Sequence, residues 1–448
     1  MRSLRGWRSP STLIVFSVVG GLLGGFAGAA ASVVVTEAIK RILAVVSRQD
    51  DWVLVAAPLG GLAFAVVILN GYHRGEALQT LIPEPVLRRR RRLRTWPAPR
   101  RDVIRADLTA DVLATAGEEE RFPWRLAPVR ALAIISTVGL GAPMGTESPA
   151  AHIGVAAGAF LGNRGDRWRR LARPAAVGGG AAGVAALIGN PFVGSAFILE
   201  LGRRRSAPLS AERVTAAVVG GLVGWTINRV FGLDLIRLNA PDVAPDDLLQ
   251  ASGAALFVGA MAGTITSLTG AAIYRARGWQ ASPAFRLVAA GVVVAAAAVA
   301  IAVIATPSAA IGPGPGAAAW ADTTNVPALS LLAVALLRAV ATTGAVAAGG
   351  CGGVFVPFLA IGDIAGRVCA PAFGVPSDLA GSAGAAGGIA GGYRLPVTAA
   401  ALVIGLGGPY SATLTCLATV GVATIAGTAA GLALDRLAGA LDALSDAR

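Results

Sequence analysis

The sequence predicts an all-α polytopic membrane protein made of two inverted-topology repeats that contain broken and re-entrant helices. Its composition is the first reason: hydrophobic residues make up 55% of the 448 residues and charged residues only 14%. An ordinary soluble domain carries about 25% charged residues. The second reason is a Gly/Pro motif that occurs twice in nearly constant register, a pattern typical of transporters built from internal repeats.

The repeated motif reads G-x3-P-x3-I-G-x2-A-G and begins at Gly145 and again at Gly353. A second pair of matching segments follows, one around Pro191 and the other around Pro396. Because both pairs keep their order and spacing, the chain is predicted to have two related halves. We expect a single transmembrane domain over residues 1–448, with repeat half one at about 50–235 and repeat half two at about 250–435.

The apolar stretches differ in length. Residues 11–35 form the first that can cross a bilayer, which takes ~20 residues. Shorter stretches flanked by Gly or Pro suit re-entrant helices, which are tolerated at membrane depth only where protein or water lines them. Residues 82–122 form the longest polar insert, and residues 311–325 are predicted to be a Gly/Pro-rich loop.

Charge and cysteine content argue against several classes of function. The net charge of +13 comes mostly from arginine clusters at 88–101, 164–173 and 203–205. Nucleic-acid binding is one interpretation of such clusters. Each lies beside an apolar stretch, so cytoplasmic loops of a multi-pass cell-membrane protein are the better interpretation, with no nucleic-acid partner. Three cysteines and two histidines give neither a disulfide framework nor a metal pattern, and we expect no cofactor or metal.

Two helix starts are predicted inside the repeated motif, because Pro149 and Pro357 suit the first turn of a helix. A helix start presents unpaired backbone N–H groups and a positive dipole end, which can hold an anion. Glu147 lies at the first start, within an apolar segment where a carboxylate is costly and therefore a functional candidate. Ionised, it can occupy an anion site; protonated, it can leave that site.

Four segments together resemble the CLC family of chloride channels and proton-coupled anion exchangers. They are residues 145–149, 185–194, 353–357 and 394–398, which keep the family's order and spacing. The resemblance implies a homodimer with one anion pathway per subunit, in which Glu147 is the gate and the proton carrier. It also implies that backbone N–H groups or helix N-termini bind the anion around Gly145, Thr146, Ser148, Pro149, Gly353, Val354, Phe355 and Val356.

The sequence departs from the family at Thr146 and Ser148 and at three inner positions. The family's anion-coordinating serine falls near Ala106, or near residues 72–75 if the arginine-rich stretch is an insertion, and neither place has a serine. Its central tyrosine falls near Arg436, and its inner proton glutamate aligns with Leu201. Fluoride-exporting members also depart at these inner positions. The resemblance as a whole makes chloride the first expected substrate, with fluoride and nitrate behind it. It leaves open whether the protein is a channel or a proton antiporter.

Two other interpretations compete with transport. Ser148 and His152 are four residues apart on one helix face and suggest an intramembrane serine hydrolase. Neighbouring side chains on one helix rarely form a nucleophile and base pair, so we predict a transporter and no enzyme. The missing family residues also suggest a degenerate, non-transporting relative, against which the retained Glu147 argues.

Overall fold

The computed structural model describes residues 10–79, 112, 115–165, 168–203, 207–232, 238, 241–323, 326–407 and 413–446. The predicted all-α fold is confirmed, since this part of the chain forms helices joined by short turns and carries no named strand. In chain order the helices are α1 Pro10–Val46, α2 Asp51–Gln79, α3 Ala127–Gly139, α4 Glu147–Gly162, α5 Ala172–Ile188, α6 Pro191–Arg203, α7 Ala211–Phe231, α8 Leu248–Arg277, α9 Pro283–Ile304, α10 Pro307–Ala310, α11 Pro315–Ala321, α12 Ala328–Ala347, α13 Phe355–Val368, α14 Ala370–Phe373, α15 Ser377–Tyr393, α16 Pro396–Leu406 and α17 Leu414–Asp446.

Seven helices in the described ranges are long and apolar enough to cross a membrane: α1, α2, α7, α8, α9, α12 and α17. The polytopic prediction is thereby confirmed. The first helix extends beyond the predicted residues 11–35 and ends at Val46.

The predicted loop at residues 311–325 is wrong in part, because α11 occupies Pro315–Ala321 inside it. Proline is favoured in the first turn of a helix, and the alanines that follow Pro315 have the highest helix propensity. Gly314, whose φ is 140°, supplies the backbone conformation from which the helix starts.

The chain divides into two compact units. The first comprises residues 1–33, 111–127 and 150–233, and the second comprises residues 34–110, 128–149 and 234–448. Within the first unit, α5 packs extensively on α7 and α6. Within the second, α8, α13 and α17 pack on α15. Small residues at these contacts let the helix backbones approach closely, as is usual for helices in membranes.

The glycines of the repeated motif make matching contacts in the two units. In the first, a Cβ on Gly154 would overlap the carbonyl of Gly179, and one on Gly158 would overlap the carbonyl of Ala175. In the second, Gly362 meets the carbonyl of Gly384 in the same way, and Gly366 meets that of Ala380. The spacing of the glycines therefore reflects one packing solution used twice.

A second pair of matching positions ends helices. The backbone after α5 turns left-handed at Gly189, with φ 75°, and the backbone after α15 does so at Arg394, with φ 60°. An L-residue with a side chain rarely adopts this conformation. Arg394 is held there by its side chain, whose Nε lies 3.0 Å from the carboxylate of Asp435 and whose Nη1 lies 2.9 Å from the hydroxyl of Ser267.

The first unit contains a buried ion pair near its polar insert. Arg213 on α7 donates to the carboxylate of Glu119 at 2.6 Å, and both side chains are at most 3% exposed. Ser210, the N-cap of α7, accepts from the backbone N–H of Arg213 at 3.3 Å and fixes the start of this helix. The acidic end of the predicted insert is therefore part of the packed structure.

Candidate functional site

Both repeated motifs begin a helix where the sequence predicts it. α4 begins at Glu147 and α13 begins at Phe355. Pro149 and Pro357 are each the third residue of their helix, where a backbone N–H would have no partner inside the helix. The two helix N-termini lie in the second compact unit.

The residues that open the two motifs pair with each other. The backbone N–H of Gly145 donates to the carbonyl of Gly353 at 2.7 Å, and the N–H of Gly353 donates to the carbonyl of Gly145 at 2.8 Å. This is an isolated antiparallel bridge. A Cβ on Gly145 would lie 2.5 Å from the Glu147 carboxylate, and one on Gly353 would lie 3.0 Å from the side chain of Ser148. A side chain at Gly145 would therefore displace the Glu147 carboxylate, and one at Gly353 would press on Ser148.

Glu147 lies beside this bridge and is 1% exposed. Its Oε1 accepts from the hydroxyl of Thr146 at 3.3 Å, and the backbone N–H groups of Thr146, Glu147 and Val356 interact favourably with the carboxylate. Oε2 accepts no hydrogen bond from the described residues. The carboxylate thus occupies the place between the two helix N-termini where a small anion would be stabilised.

A cavity of about 200 Å³ adjoins the carboxylate. Glu147, Thr146 and Val356 form one side of it. The others come from α1, α3 and the segment around α11: Thr36, Ile39, Lys40, Leu43, Val138, Pro313 and Pro315. Lys40 is the only lysine in the sequence, and it supplies a cation to the cavity that contains the buried glutamate.

Tyr393 also belongs to this site, and the sequence reasoning missed it. Its hydroxyl accepts from the backbone N–H of Val354 at 3.2 Å and lies 3.3 Å from Ser148 Oγ. Its ring packs edge-on against Phe355, at 5.2 Å between centroids, and against Phe358, at 5.6 Å. The tyrosine links the N-termini of α4 and α13.

The predicted anion-binding positions divide into three groups. The N–H groups of Gly145, Gly353 and Val354 already donate to protein oxygens, as described above. Those of Thr146 and Val356 interact with the Glu147 carboxylate. Ser148 contributes its hydroxyl, Phe355 packs its ring on Tyr393, and Pro149 has no N–H.

Of the three predicted inner positions, the structure describes Leu201 and Arg436, and neither lines this cavity. Ala106 lies outside the described residues, as does the whole arginine cluster at 88–101. Leu201 is buried in α6, within the first unit. Arg436 is exposed on α17, one residue after Asp435, which pairs with Arg394.

Ser148 and His152 do not form a nucleophile and base pair. Ser148 Oγ contacts the hydroxyl of Tyr393, whereas the His152 ring packs edge-on against Phe122 at 4.8 Å between centroids. Neither ring nitrogen of His152 hydrogen-bonds to Ser148. A general base must lie within hydrogen-bond reach of its nucleophile, so the hydrolase hypothesis is wrong.

Comparisons with known proteins agree with this geometry. Residues 107–428 match the family described as "Voltage gated chloride channel". The chain is 24% identical over 443 residues to the "H(+)/Cl(-) exchange transporter ClcA" of Yersinia pestis bv. Antiqua (strain Angola), covering 93% of this chain and 85% of the relative. The same protein of Yersinia pseudotuberculosis serotype O:3 (strain YPIII) matches equally.

Solved structures share the fold. A "CLC-type fluoride/proton antiporter" superposes with a TM-score of 0.67 at 20% identity, covering 93% of this chain and 95% of the other. A "slow cyanobacterial Cl-/H+ antiporter" superposes with a TM-score of 0.65 at 18% identity, covering 95% and 97%.

Proposed function

The chain belongs to the voltage gated chloride channel family, and from this premise we propose that it moves a small inorganic anion, chloride first, across the cell membrane through a pathway gated by Glu147. The observation that carries the proposal is the position of the Glu147 carboxylate. It lies buried between the N-termini of α4 and α13 and faces a cavity that also contains Lys40.

The proposed gating depends on the charge of the Glu147 side chain. Backbone N–H groups and helix dipoles at this place stabilise one negative charge without a buried cation. The carboxylate and a halide satisfy the same groups, so they compete for one position. When Glu147 takes up a proton, its side chain becomes neutral and loses this stabilisation, and an anion can replace it.

In this proposal, Lys40 attracts anions to the cavity beside Glu147. A cation at the wall of a small cavity raises the local concentration of anions. Because the amides of Thr146 and Val356 are dipoles rather than full charges, they hold the anion weakly enough for release, as conduction requires. If each anion step is matched to protonation of Glu147, transport is proton-coupled exchange; if it is not, the pathway is a channel.

Two features of the assembly are part of the same proposal. The transmembrane domain of residues 1–448 is built from repeat halves at about 50–235 and 250–435, which is supported by the matching glycine contacts of the two motifs. The working unit is a homodimer with one pathway per subunit, as in the family that the sequence resembles.

Fluoride is the second candidate substrate, and the Tyr393 hydroxyl is the observation that favours it. A small, strongly hydrated anion needs strong hydrogen-bond donors in place of its water. The hydroxyls of Tyr393 and Ser148 lie 3.3 Å apart beside the motif helices and can rotate to donate.

The test is anion efflux from proteoliposomes with chloride, fluoride and external pH recorded together. Wild type is compared with Glu147→Gln, which keeps the size of the side chain and removes its charge and proton. The matched control is Glu37→Gln, which alters an exposed glutamate paired with Arg41 on α1.

We expect anion efflux from wild type with proton movement in the opposite direction. The Glu147→Gln variant should lose the proton movement, whereas Glu37→Gln should behave as wild type. Anion flux without proton movement in wild type would identify a channel, and the proposal that Glu147 is the gate would still hold. No flux of either anion in any of the three proteins would overturn the proposal and leave the non-transporting relative.

A further inference from the structure

The turn between α8 and α9 carries a positive charge that its sequence neighbours do not compensate. Residues 248–321 contain no Asp, Glu or Lys, and their only ionic side chains at neutral pH are Arg275, Arg277 and Arg286. The first two lie in the last turn of α8, and the third lies in the first turn of α9. Arginines in a short turn between membrane helices favour an anionic lipid surface over a neutral one. Arg275 is exposed, whereas Nε and Nη2 of Arg277 are buried, so Arg275 is the better placed of the two to meet a headgroup.

An apolar groove of about 600 Å³ lies between α8, α9 and α12. Residues that line it include Ile265, Leu268, Val293, Leu336, Val340 and Trp279. All three helices are membrane-spanning by length and composition. The groove is therefore in contact with hydrocarbon when the protein is in a bilayer, and its walls suit an acyl chain.

Trp279 and Arg286 mark one end of this groove. Trp279, which lines it, packs edge-on against Phe285 at 5.7 Å between centroids and so joins the end of α8 to the start of α9. Arg286 Nε donates to the carbonyl of Ala347 at 2.9 Å, and Ala347 also lines the groove. Tryptophan and arginine are the residues that anchor membrane proteins at the headgroup level.

The length of the groove matches one lipid tail. From Ile265 to the end of α8 at Arg277 the helix is about 18 Å long at 1.5 Å per residue, and Trp279 follows two residues after the helix ends. One leaflet of a bilayer's hydrocarbon core is about 15 Å thick. An extended acyl chain with its headgroup at Trp279 therefore remains in contact with the groove over its whole depth.

We propose that this groove is a binding site for an anionic glycerophospholipid, with one acyl chain between α8, α9 and α12 and the phosphate at Arg275. Arg286 contributes charge at the same end while its side chain holds the end of α12. The site is separate from the Glu147 cavity, since the two share no lining residue.

The test counts lipids retained on the intact protein by native mass spectrometry, after purification in detergent with equal amounts of phosphatidylglycerol and phosphatidylcholine. Ala272→Trp fills the groove, and Ala271→Trp is its matched control, because both alanines are exposed on α8 and only Ala272 lines the groove. Arg275→Gln removes the phosphate partner. Arg48→Gln, an exposed arginine after α1, controls for the loss of any positive charge.

We expect wild type, Ala271→Trp and Arg48→Gln to retain phosphatidylglycerol in preference to phosphatidylcholine. Ala272→Trp should lose the bound lipid. Arg275→Gln should reduce the preference by about five-fold, the scale of one basic residue near an anionic surface. Equal retention of both lipids by wild type, or undiminished retention by Ala272→Trp, would overturn the proposal and indicate annular lipid only.

Discussion

Gly145 and Gly353 hold each other by two reciprocal backbone hydrogen bonds, of 2.7 and 2.8 Å. They are the first residues of the two copies of one motif, and they meet antiparallel. Equivalent residues of two inverted segments meet in this way when a two-fold axis passes between them. The contact also fixes the starts of α4 and α13 relative to each other, so the place occupied by the Glu147 carboxylate is set by the backbone.

Gly353→Ala should disturb this contact. The added Cβ would lie 3.0 Å from Ser148 Cβ and Oγ, which is tighter than nearly all natural contacts. Overpacking of this kind costs about 1–3 kcal/mol, so we expect a lower thermal unfolding midpoint in detergent and slower anion efflux. Gly421→Ala on α17 is the control, because nothing lies within 4 Å of its added Cβ. Equal behaviour of the two variants would contradict the space argument.

Lys40→Met should weaken anion access without disturbing the gate. Methionine keeps much of the length of the side chain and removes its charge, so the cavity next to Glu147 loses its attraction for anions. We expect the half-saturating anion concentration to rise about ten-fold, equivalent to about 1.4 kcal/mol. Lys40→Arg, which keeps the charge, is the control. An unchanged half-saturating anion concentration in Lys40→Met would show that Lys40 does not contribute to anion access.

Tyr393→Phe should alter selectivity more than folding. The ring contacts with Phe355 and Phe358 remain, but the buried N–H of Val354 loses its acceptor, which costs about 1–3 kcal/mol. We expect the ratio of fluoride to chloride efflux to change, because the hydroxyl beside Ser148 is removed. Tyr274→Phe, on a half-exposed tyrosine of α8, should leave the ratio unchanged. The same result for both variants would exclude the Tyr393 hydroxyl from the anion pathway.

Arg213→Met should destabilise the first unit strongly. It leaves the Glu119 carboxylate buried without its ion pair, and removing one partner of a buried pair costs about 3–5 kcal/mol. The matched change at an exposed pair is Arg41→Met, which breaks the contact with Glu37 and should cost less than about 1 kcal/mol. Unfolding curves measured by tryptophan fluorescence in detergent compare the two. Similar midpoints would show that the Glu119 pair adds nothing to stability.

The sequence was enough to predict the fold, the two helix N-termini at the site and the glycines behind them, because these features depend on local patterns. Prolines placed the starts of α4 and α13, and the repeat register placed the packing glycines. Lys40 and Tyr393 were missed, because each reaches the motifs from a segment more than 30 residues away, and such contacts exist only after folding. Two signals were nevertheless present: Lys40 is the only lysine, and Tyr393 directly precedes a segment that matches the family.

The position of Arg436 also shows that counting residues along a chain does not locate a side chain in space. α17 continues to Asp446 and places Arg436 on an exposed face. The hydroxyl beside the motif helices comes from the end of α15 instead, more than 40 residues earlier. A function that needs a hydroxyl at a given place in space can take it from another helix end, and sequence spacing alone does not detect such an exchange.

The glycine contacts behind the two motif helices restrict how the pathway can move. At Gly154 and Gly158 the backbone of α4 touches the backbone of α5, and at Gly362 and Gly366 the backbone of α13 touches that of α15. No layer of side chains lies at these points to repack, so neither helix can slide or roll without separating main chains. If Glu147 is the gate, as proposed, opening falls to rotation of its side chain about its own χ angles, a change of a few ångströms on the timescale of rotamer exchange rather than of rocking domains.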